Sequence, residues 1–404
     1  MYTLRRAGGR ARSAALLVAS AATPVAAQWT VSYLHPSGLN GDSYAWGTSE
    51  TQQVGEAAGA EGVHACFWSG TAASWVDLHP TGATFSVAQG VYAGQQTGFA
   101  GIGGVDHAGC WNGSAASWVD LHPVEAVWSR AYCTSGGQQA GAARFGNEVR
   151  AGVWTGTAAS WLNLQPASST DSTAYGVHNN QQVGEAFVGG KYRASLWNGS
   201  AASWVDLAPP IAEHSAARGL DDEGQVGHVV VGGLPRASLW RGSAASWVDL
   251  HPVGAEWSYA VGTLQGFQVG WVHLTSDGSD RASLWSGSSM SWEDLSLAVT
   301  GKWSGTYAQS IWSDSTTTYV AGYGFNDATL RYEALLWRRQ IAVCYANCDN
   351  STMQPILNVN DFVCFSNRFA AGNLYANCDR STTAPVLNVN DFICFMSSFA
   401  AGCS

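Results

Sequence analysis

Residues 114–123 read SAASWVDLHP, residues 243–252 read the same ten letters, and near-copies stand at 71–80, 157–166 and 200–209. A phrase kept this faithfully within one chain is part of a longer unit. Gln53, Gln96, Gln139, Gln182, Gln225 and Gln268 recur every 43 residues, each two places before a glycine. Ala45, Ala88, Ala131, Ala174, Ala217 and Ala260 keep the same beat. So do Trp68, Trp111, Trp154, Trp197 and Trp240, after which the step lengthens to Trp285 and Trp337. The unit reads S-x-A-x-G-V … Q-V-G-x-A … R-A-S-L-W-x-G-S-A-A-S-W-V-D-L-H-P.

Each unit holds four short apolar or alternating runs, none long enough or periodic enough for a helix, so each predicts four strands. Between the third and fourth runs the chain passes through Trp-x-Gly, sharpest at Asn198-Gly199, which predicts a tight hairpin with the phrase itself as fourth strand. Along that strand Val76 and Leu78 face one way and Trp75 and Asp77 the other, so both faces need cover. Four-stranded units of about 40–45 residues are the grain of β-propellers. Six units run from about 43 to 297, and a seventh has three strands and stops near Trp337. Trp29–Pro36 is a lone copy of the missing fourth strand. The expected fold is all-β, a seven-bladed β-propeller whose ring is closed by 29–36 pairing with the strand around 331–337, leaving no open edge.

The 404 residues are 46% hydrophobic and 12% charged, enough for a large core. The start, MYTLRRAGGRAR followed by SAALLVASAATPVAA, has the basic, apolar and small-residue parts of a signal peptide cut after Ala27. A membrane anchor fits less well, because the apolar run falls short of the roughly 20 residues needed to span a bilayer. Residues 1–27 carry four arginines and no acid, so removing them takes the formal charge from −10 to −14 and argues against a nucleic-acid partner. The expected location is extracellular and associated with the cell surface. Of nine cysteines, Cys66, Cys110 and Cys133 are scattered and predict no disulfide framework, with a Cys110–Cys133 bond left open. Six crowd the end, as in a small stapled module of an oxidising compartment.

The division expected is 1–27 leader, 28–340 repeat propeller and 341–404 tail. The repeat resembles the "HAF" family of extracellular repeats over roughly 43–340, through A-x-G-x … G-Q-V-G … A-x-L-W-x-G; that family lends no settled activity.

The tail holds a second repeat, YANCDNSTMQPILNVNDFVCFSNRFAAG at 345–372 and YANCDRSTTAPVLNVNDFICFMSSFAAG at 375–402. Oxygen-bearing side chains at alternating positions, followed by a helix that opens on Asp, suit a calcium loop, since a hard cation wants several oxygens. The segment 341–404 resembles a duplicated dockerin domain, specifically the "GC-type" dockerin that ends planctomycete-type secreted proteins. The resemblance implies two Ca2+ sites, one formed by Asn347, Asp349, Ser351, Asn358 and Asp361, the other by Asn377, Asp379, Ser381, Asn388 and Asp391. It also implies partner-reading positions at Val359, Asn360, Val389 and Asn390, and a cohesin-like or other surface receptor as partner. The loops depart from the pattern by about three extra residues around Pro355 and Pro385 and by Asn at the first ligand position, which leaves two carboxylates per site and predicts weaker affinity. The competing reading makes Asp361 and Asp391 helix-start residues placed for the helix dipole. Six cysteines allow fifteen pairings. The preferred set is Cys348–Cys364 and Cys378–Cys394 within repeats, with Cys344–Cys403 clasping the ends.

Asp77/His79, Asp120/His122 and Asp249/His251 place D-x-H on one strand. Other copies put Asn163/Gln165, Asp206/Ala208 and Asp294/Ser296 there, so strand-end hydrogen bonding is expected rather than metal. Function is sought where the repeat breaks: the loops at 178–180, 221–223 and 277–280, and Trp128, Trp257 and Trp303 as a stacking platform for sugars or as extra packing. No nucleophilic triad, paired-carboxylate motif or phosphate loop can be assembled. Two classes of function remain. One is a non-enzymatic secreted binding or scaffold propeller, with an extracellular polysaccharide as a candidate ligand, anchored by its tail. The other is a dockerin-borne glycosidase or lyase with its site in the propeller funnel. Near-identical blades favour the first.

Overall fold

The computed structural model describes residues 28–341, 345–349, 351, 356–379 and 381–402. The expected leader, 1–27, and the expected Cys344–Cys403 pairing lie outside them. Among the described residues the 43-residue units form five antiparallel four-stranded sheets and one eight-stranded sheet. Their first strands are Ser43–Ser49, Ser86–Tyr92, Trp128–Ser135, Ser172–His178, His214–Asp221, Ala255–Leu264 and Trp303–Ser313. Each neighbours the next, and the last neighbours the first, so the sheets close into a β-propeller around a central channel. The eight-stranded sheet is joined in its middle by a single residue pair, Asp280 with Gly305.

Apolar clusters lie between consecutive units, each built from both neighbours. One joins Val54, Ala65 and Leu78 to Ala88, Val91 and Trp111; another joins Ala321, Ala334 and Leu336 to Leu34, Ala45 and Trp68. The periodic Trp68, Trp111, Trp154, Trp197, Trp240, Trp285 and Trp337 are fully buried in these seams, as packing requires of such large side chains. The repeat's serine ties one unit to the one before it: Ser86 Oγ accepts from Ala65 N at 2.9 Å, and Ser129, Ser172, Ser215 and Ser258 do the same one unit on. The glutamine holds the turn after the third strand, with Gln53 Oε1 accepting from Gly70 N at 2.8 Å and Gln139 Oε1 from Gly156 N at 2.8 Å. In the last unit Val320 occupies the glutamine's place opposite Trp337, where the chain makes no such turn.

Ring closure is as expected from Trp29–Pro36. Thr30–Tyr33 runs antiparallel to Arg331–Gln340, with Val31 opposite Trp337 and Tyr33 opposite Leu335. Leu34 N donates to Ala334 O at 2.9 Å, the bond that Leu78 N makes to Ala65 O in the first unit. Leu34 is fully buried, and Trp29 Nε1 donates to Glu293 Oε1 at 2.8 Å.

The repeated phrase is not the full strand expected of it. Only Val76–Asp77 and its counterparts are strand; Ala72–Ser74 is a 3-10 turn. The reason is local. Ser74 Oγ accepts from Ser69 N and donates to Thr71 O, so the Thr-Ala-Ala-Ser stretch closes on itself and replaces the expected two-residue link with a longer connection.

The tail packs two helices, α1 (Val359–Ala370) and α2 (Val389–Ala401), over Phe365 and Phe395, whose rings stack at 4.1 Å. Tyr345 OH donates to Tyr375 O and Tyr375 OH to Tyr345 O, both at 2.6 Å, the reciprocal bonds of a twofold pair. Disulfides Cys348–Cys364 and Cys378–Cys394 are formed. Cys66, Cys110 and Cys133 are free thiols, so the open Cys110–Cys133 pairing is not made.

Candidate functional site

Every first strand carries one extra residue. The register with the second strand slips between Ala45 and Gly47, Ala88 and Gly90, Ala131 and Cys133, Ala174 and Gly176, Ala217 and Gly219, Ala260 and Gly262, and Ala308 and Ser310. This β-bulge explains the glycine of Q-V-G. It swings the carbonyl before the alanine against the second strand, so a Cβ on Gly55, Gly98, Gly141, Gly184, Gly227, Gly270 or Gly322 would stand 1.8–2.0 Å from that oxygen. The glycine after the bulge serves the axis: a Cβ on Gly90 would lie 2.9 Å from Cys133 Cα of the next unit.

A bulge re-aims a side chain. Here the re-aimed residues are Trp46, Gln89, Tyr132, Tyr175, Arg218, Val261 and Gln309, and all of them line one cavity of about 650 Å³ enclosed by the ring. The frame around this position repeats while the residue in it changes from unit to unit. The sequence did carry that signal, as the x of A-x-G, but as a variable position between constant ones it reads as a place without constraint.

Around the bulge residues runs an arc of rings. Trp46 stacks on Tyr44 (5.3 Å) and meets Tyr323 edge-on (5.2 Å); Tyr323 stacks on Tyr307 (4.9 Å); Trp271 meets Tyr307 (5.7 Å) and stacks on Tyr259 (4.9 Å). On the far side Tyr132 contacts Tyr175 (5.6 Å), and the Arg218 guanidinium sits 3.9 Å over the Tyr175 ring. Polar groups punctuate the arc. Tyr175 OH donates to Glu185 Oε1 and Tyr307 OH to Asp280 Oδ2, both at 2.7 Å. Burial, with the charge of Asp42 adding to it, pushes the Glu56 carboxyl up to about 7; the neighbouring Trp46 indole N–H offsets part of this without meeting hydrogen-bond geometry. Burial and then the Arg218 charge hold His228 down at about 3, so its imidazole is neutral. Burial also raises the Tyr132 and Tyr259 hydroxyls, which therefore stay protonated donors. Aromatic faces beside fixed donors and acceptors are what a ring-shaped, hydroxylated ligand needs.

The positions singled out by sequence are placed elsewhere. Trp257 stacks on His273 of its own unit at 3.7 Å, Trp303 packs near Tyr33 at 5.8 Å, and Trp128 lies beside Arg130. They pack separately and form no shared platform. His79 uses both ring nitrogens, on Ser86 Oγ (2.9 Å) and Ala83 O (3.1 Å), and Asp77 accepts from His79 N, so D-x-H is strand-end hydrogen bonding. The loops at 178–180 and 221–223 tie three successive units together, through Asn179 Nδ2 to Asp222 Oδ1 (2.7 Å) and Gln265 N to Asp221 Oδ2 (2.7 Å).

In the tail the implied calcium residues come together in each repeat. Asp361 and Asp391 are fully buried. Asp361 accepts from Asp349 N (3.2 Å) and Asn358 N (2.9 Å), and Asp391 from Asp379 N (3.2 Å) and Asn388 N (2.8 Å). Asn347 bonds Ser351 through Oδ1 (3.0 Å) and Nδ2 (2.9 Å). The helices begin one residue after Asn358 and Asn388, which cap them, so Asp361 and Asp391 are third in their helices and not first as expected. Asn377 Oδ1 is buried with no partner among the described residues, an acceptor that a cation would satisfy. Val359, Asn360, Val389 and Asn390 are exposed at the helix starts.

No family model and no curated protein matches the chain. Solved structures with a similar fold include a puromycin hydrolase (12% identity, TM-score 0.49, covering 75% of this chain and 56% of that one). An acylaminoacyl peptidase of Pyrococcus horikoshii is similar at 10% identity (TM-score 0.48, 74% and 52%). So is the β-propeller domain of the trilobed protease from Pyrococcus furiosus (9% identity, TM-score 0.48, 74% and 95%). The chain thus spans about half the length of the two hydrolases. None of their chemistry is carried to it.

Proposed function

We propose that this is an extracellular binding protein: a seven-bladed propeller whose channel mouth takes up a glycan, tethered to a cohesin-like or other surface receptor by a calcium-loaded tail. What supports seven blades is that the eight-stranded sheet is joined in its middle by one residue pair, with Ala255–Leu264 on one side and Thr30–Tyr33 on the other. The observation that carries the reading is the set of bulge residues. They vary in a frame that otherwise repeats, they converge on one cavity, and they are rich in aromatic and polar side chains.

For the tail, two buried carboxylates held by backbone N–H groups and the orphaned Asn377 Oδ1 fit a cation of modest affinity, with Asn347, Asp349, Ser351, Asn358 and Asp361, and their second-repeat equivalents, as its ligands. Val359, Asn360, Val389 and Asn390 then face the receptor. Calcium titration of the full chain tests this: saturable heat is expected, and Asp361→Ala with Asp391→Ala should remove it. Absence of heat in the parent chain would leave the tail as a disulfide-stapled helix pair.

One observation favours a second reading. A carboxyl near neutrality beside a cavity-lining ring, as Glu56 is beside Trp46, suits a general acid or base, and would make the propeller a polysaccharide glycosidase or lyase. A glycan array combined with a reducing-sugar assay on the full chain separates the two. Binding without turnover is the expected result; turnover lost in Glu56→Gln would establish the enzyme.

A further inference from the structure

Around Arg218 the channel holds more donors than acceptors. The guanidinium, half-buried and lining the cavity, offers five N–H groups, and none donates to a described protein atom; no carboxylate of the described residues lies within ion-pair distance. Its charge acts on the hydroxyls of two cavity-lining tyrosines, Tyr259 and, after the nearer Arg130, Tyr132; Arg130 can only donate to the Tyr132 oxygen, so both tyrosines keep an O–H to give. By contrast, Arg130, Arg193, Arg236 and Arg281 each have a carboxylate partner. The neutral His228 adds no competing charge, and its buried Nδ1 has no partner among the described residues.

We infer that Arg218, with the Tyr132 and Tyr259 hydroxyls, is the subsite for the carboxylate of an acidic sugar, a uronate residue of a polysaccharide. The planar guanidinium, its Cζ already held 3.9 Å over the Tyr175 ring centroid, can present two parallel N–H groups to two carboxylate oxygens. Trp46 and Trp271 line the same cavity and give the sugar ring a face to stack on, and the Tyr175 ring beneath the guanidinium is fixed by its OH, which donates to Glu185 Oε1 at 2.7 Å. In a chain of net charge −10, an unpaired cation in the channel selects for an anion that general attraction does not deliver.

The inference rests on the glycan-binding reading, and the test keeps the two apart. Calorimetry on the full chain compares a uronate oligosaccharide with its neutral counterpart of equal length and with a sulfated one. The expected preference for uronate over neutral is about 10- to 100-fold, and it should collapse to about 1 in Arg218→Gln and fall part-way in Arg218→Lys, which keeps the charge and loses the fork. Should Arg218→Gln fail to fold by circular dichroism, the lysine variant alone decides. Equal binding of neutral and acidic sugars, or a uronate preference that survives both variants, overturns the subsite and leaves glycan binding standing. A preference for the sulfated sugar overturns the carboxylate assignment. No binding of any of the three overturns both.

Discussion

The bulge argument makes a quantitative demand on Gly184. A Cβ there would lie 1.8 Å from Thr173 O, whereas real Cβ contacts stay above 3.0 Å. Gly184→Ala must therefore separate the first two strands of its sheet by about 1.2 Å, or erase the bulge and return Tyr175 to an ordinary strand position. Overpacking of this kind costs about 1–3 kcal/mol. One or two ladder hydrogen bonds lost with it add about 1 kcal/mol each. The sum is about 2–5 kcal/mol. Urea unfolding of the full chain, followed by tryptophan fluorescence, reads it as a lowered midpoint. Gly190→Ala is the control: its φ is +80°, but nothing lies within 4 Å of the added atom, so it carries only the backbone penalty of about 1–2 kcal/mol. A Gly184→Ala midpoint equal to wild type, or higher than that of Gly190→Ala, would refute the claim that the bulge dictates Q-V-G.

Deleting residues 28–36 should remove the buried Leu34 and the ladder on Arg331–Gln340, giving oligomers by light scattering from the exposed edge; a monomer with unchanged melting would mean that this strand does not close the ring. Glu56 holds a proton up to about 7 when folded and releases it near 4.5 when unfolded, so stability falls as pH rises across that window, by up to about 3 kcal/mol, and Glu56→Gln should flatten the fall in pH-dependent urea titrations. His228 has the opposite sign: the unfolded chain takes up a proton near 6.5 that the folded chain refuses until about 3, so stability is lost as pH drops through this range, and His228→Leu should remove that loss. Thiol labelling should find Cys66, Cys110 and Cys133 free, with Cys66 and Cys110 reacting only after denaturation because both are buried and burial raises their thiols.

The ring was legible because its determinants recur. A glutamine that must accept from one turn, a serine that must tie one unit to its predecessor, and a tryptophan that must fill one seam each return every 43 residues, and the lone strand at 29–36 announces its partner by being a copy. The disulfides within the tail were legible for the same reason. What escaped were features that break local period. Ser74 turns half of the repeated phrase away from strand geometry through bonds to its own neighbours. Trp46, Tyr132, Tyr175 and Arg218 sit in bulges, and an inserted residue makes a strand's alternation ambiguous as to which face it serves. The irregular loops attracted attention instead, and there Asn179, Asp221 and Asp222 join units to each other. Trp257 and Trp303 likewise look exceptional in sequence yet pack within their own surroundings.

The central claim, that the bulge residues form the ligand site, is tested most directly by hydrogen exchange on the full chain with and without the tightest glycan from the array. The account predicts new protection in the first strands carrying Trp46, Tyr132, Tyr175 and Arg218, with the outer strands and the tail unchanged. Protection confined to the loops at 178–180 and 277–280, or to the tail, would contradict it.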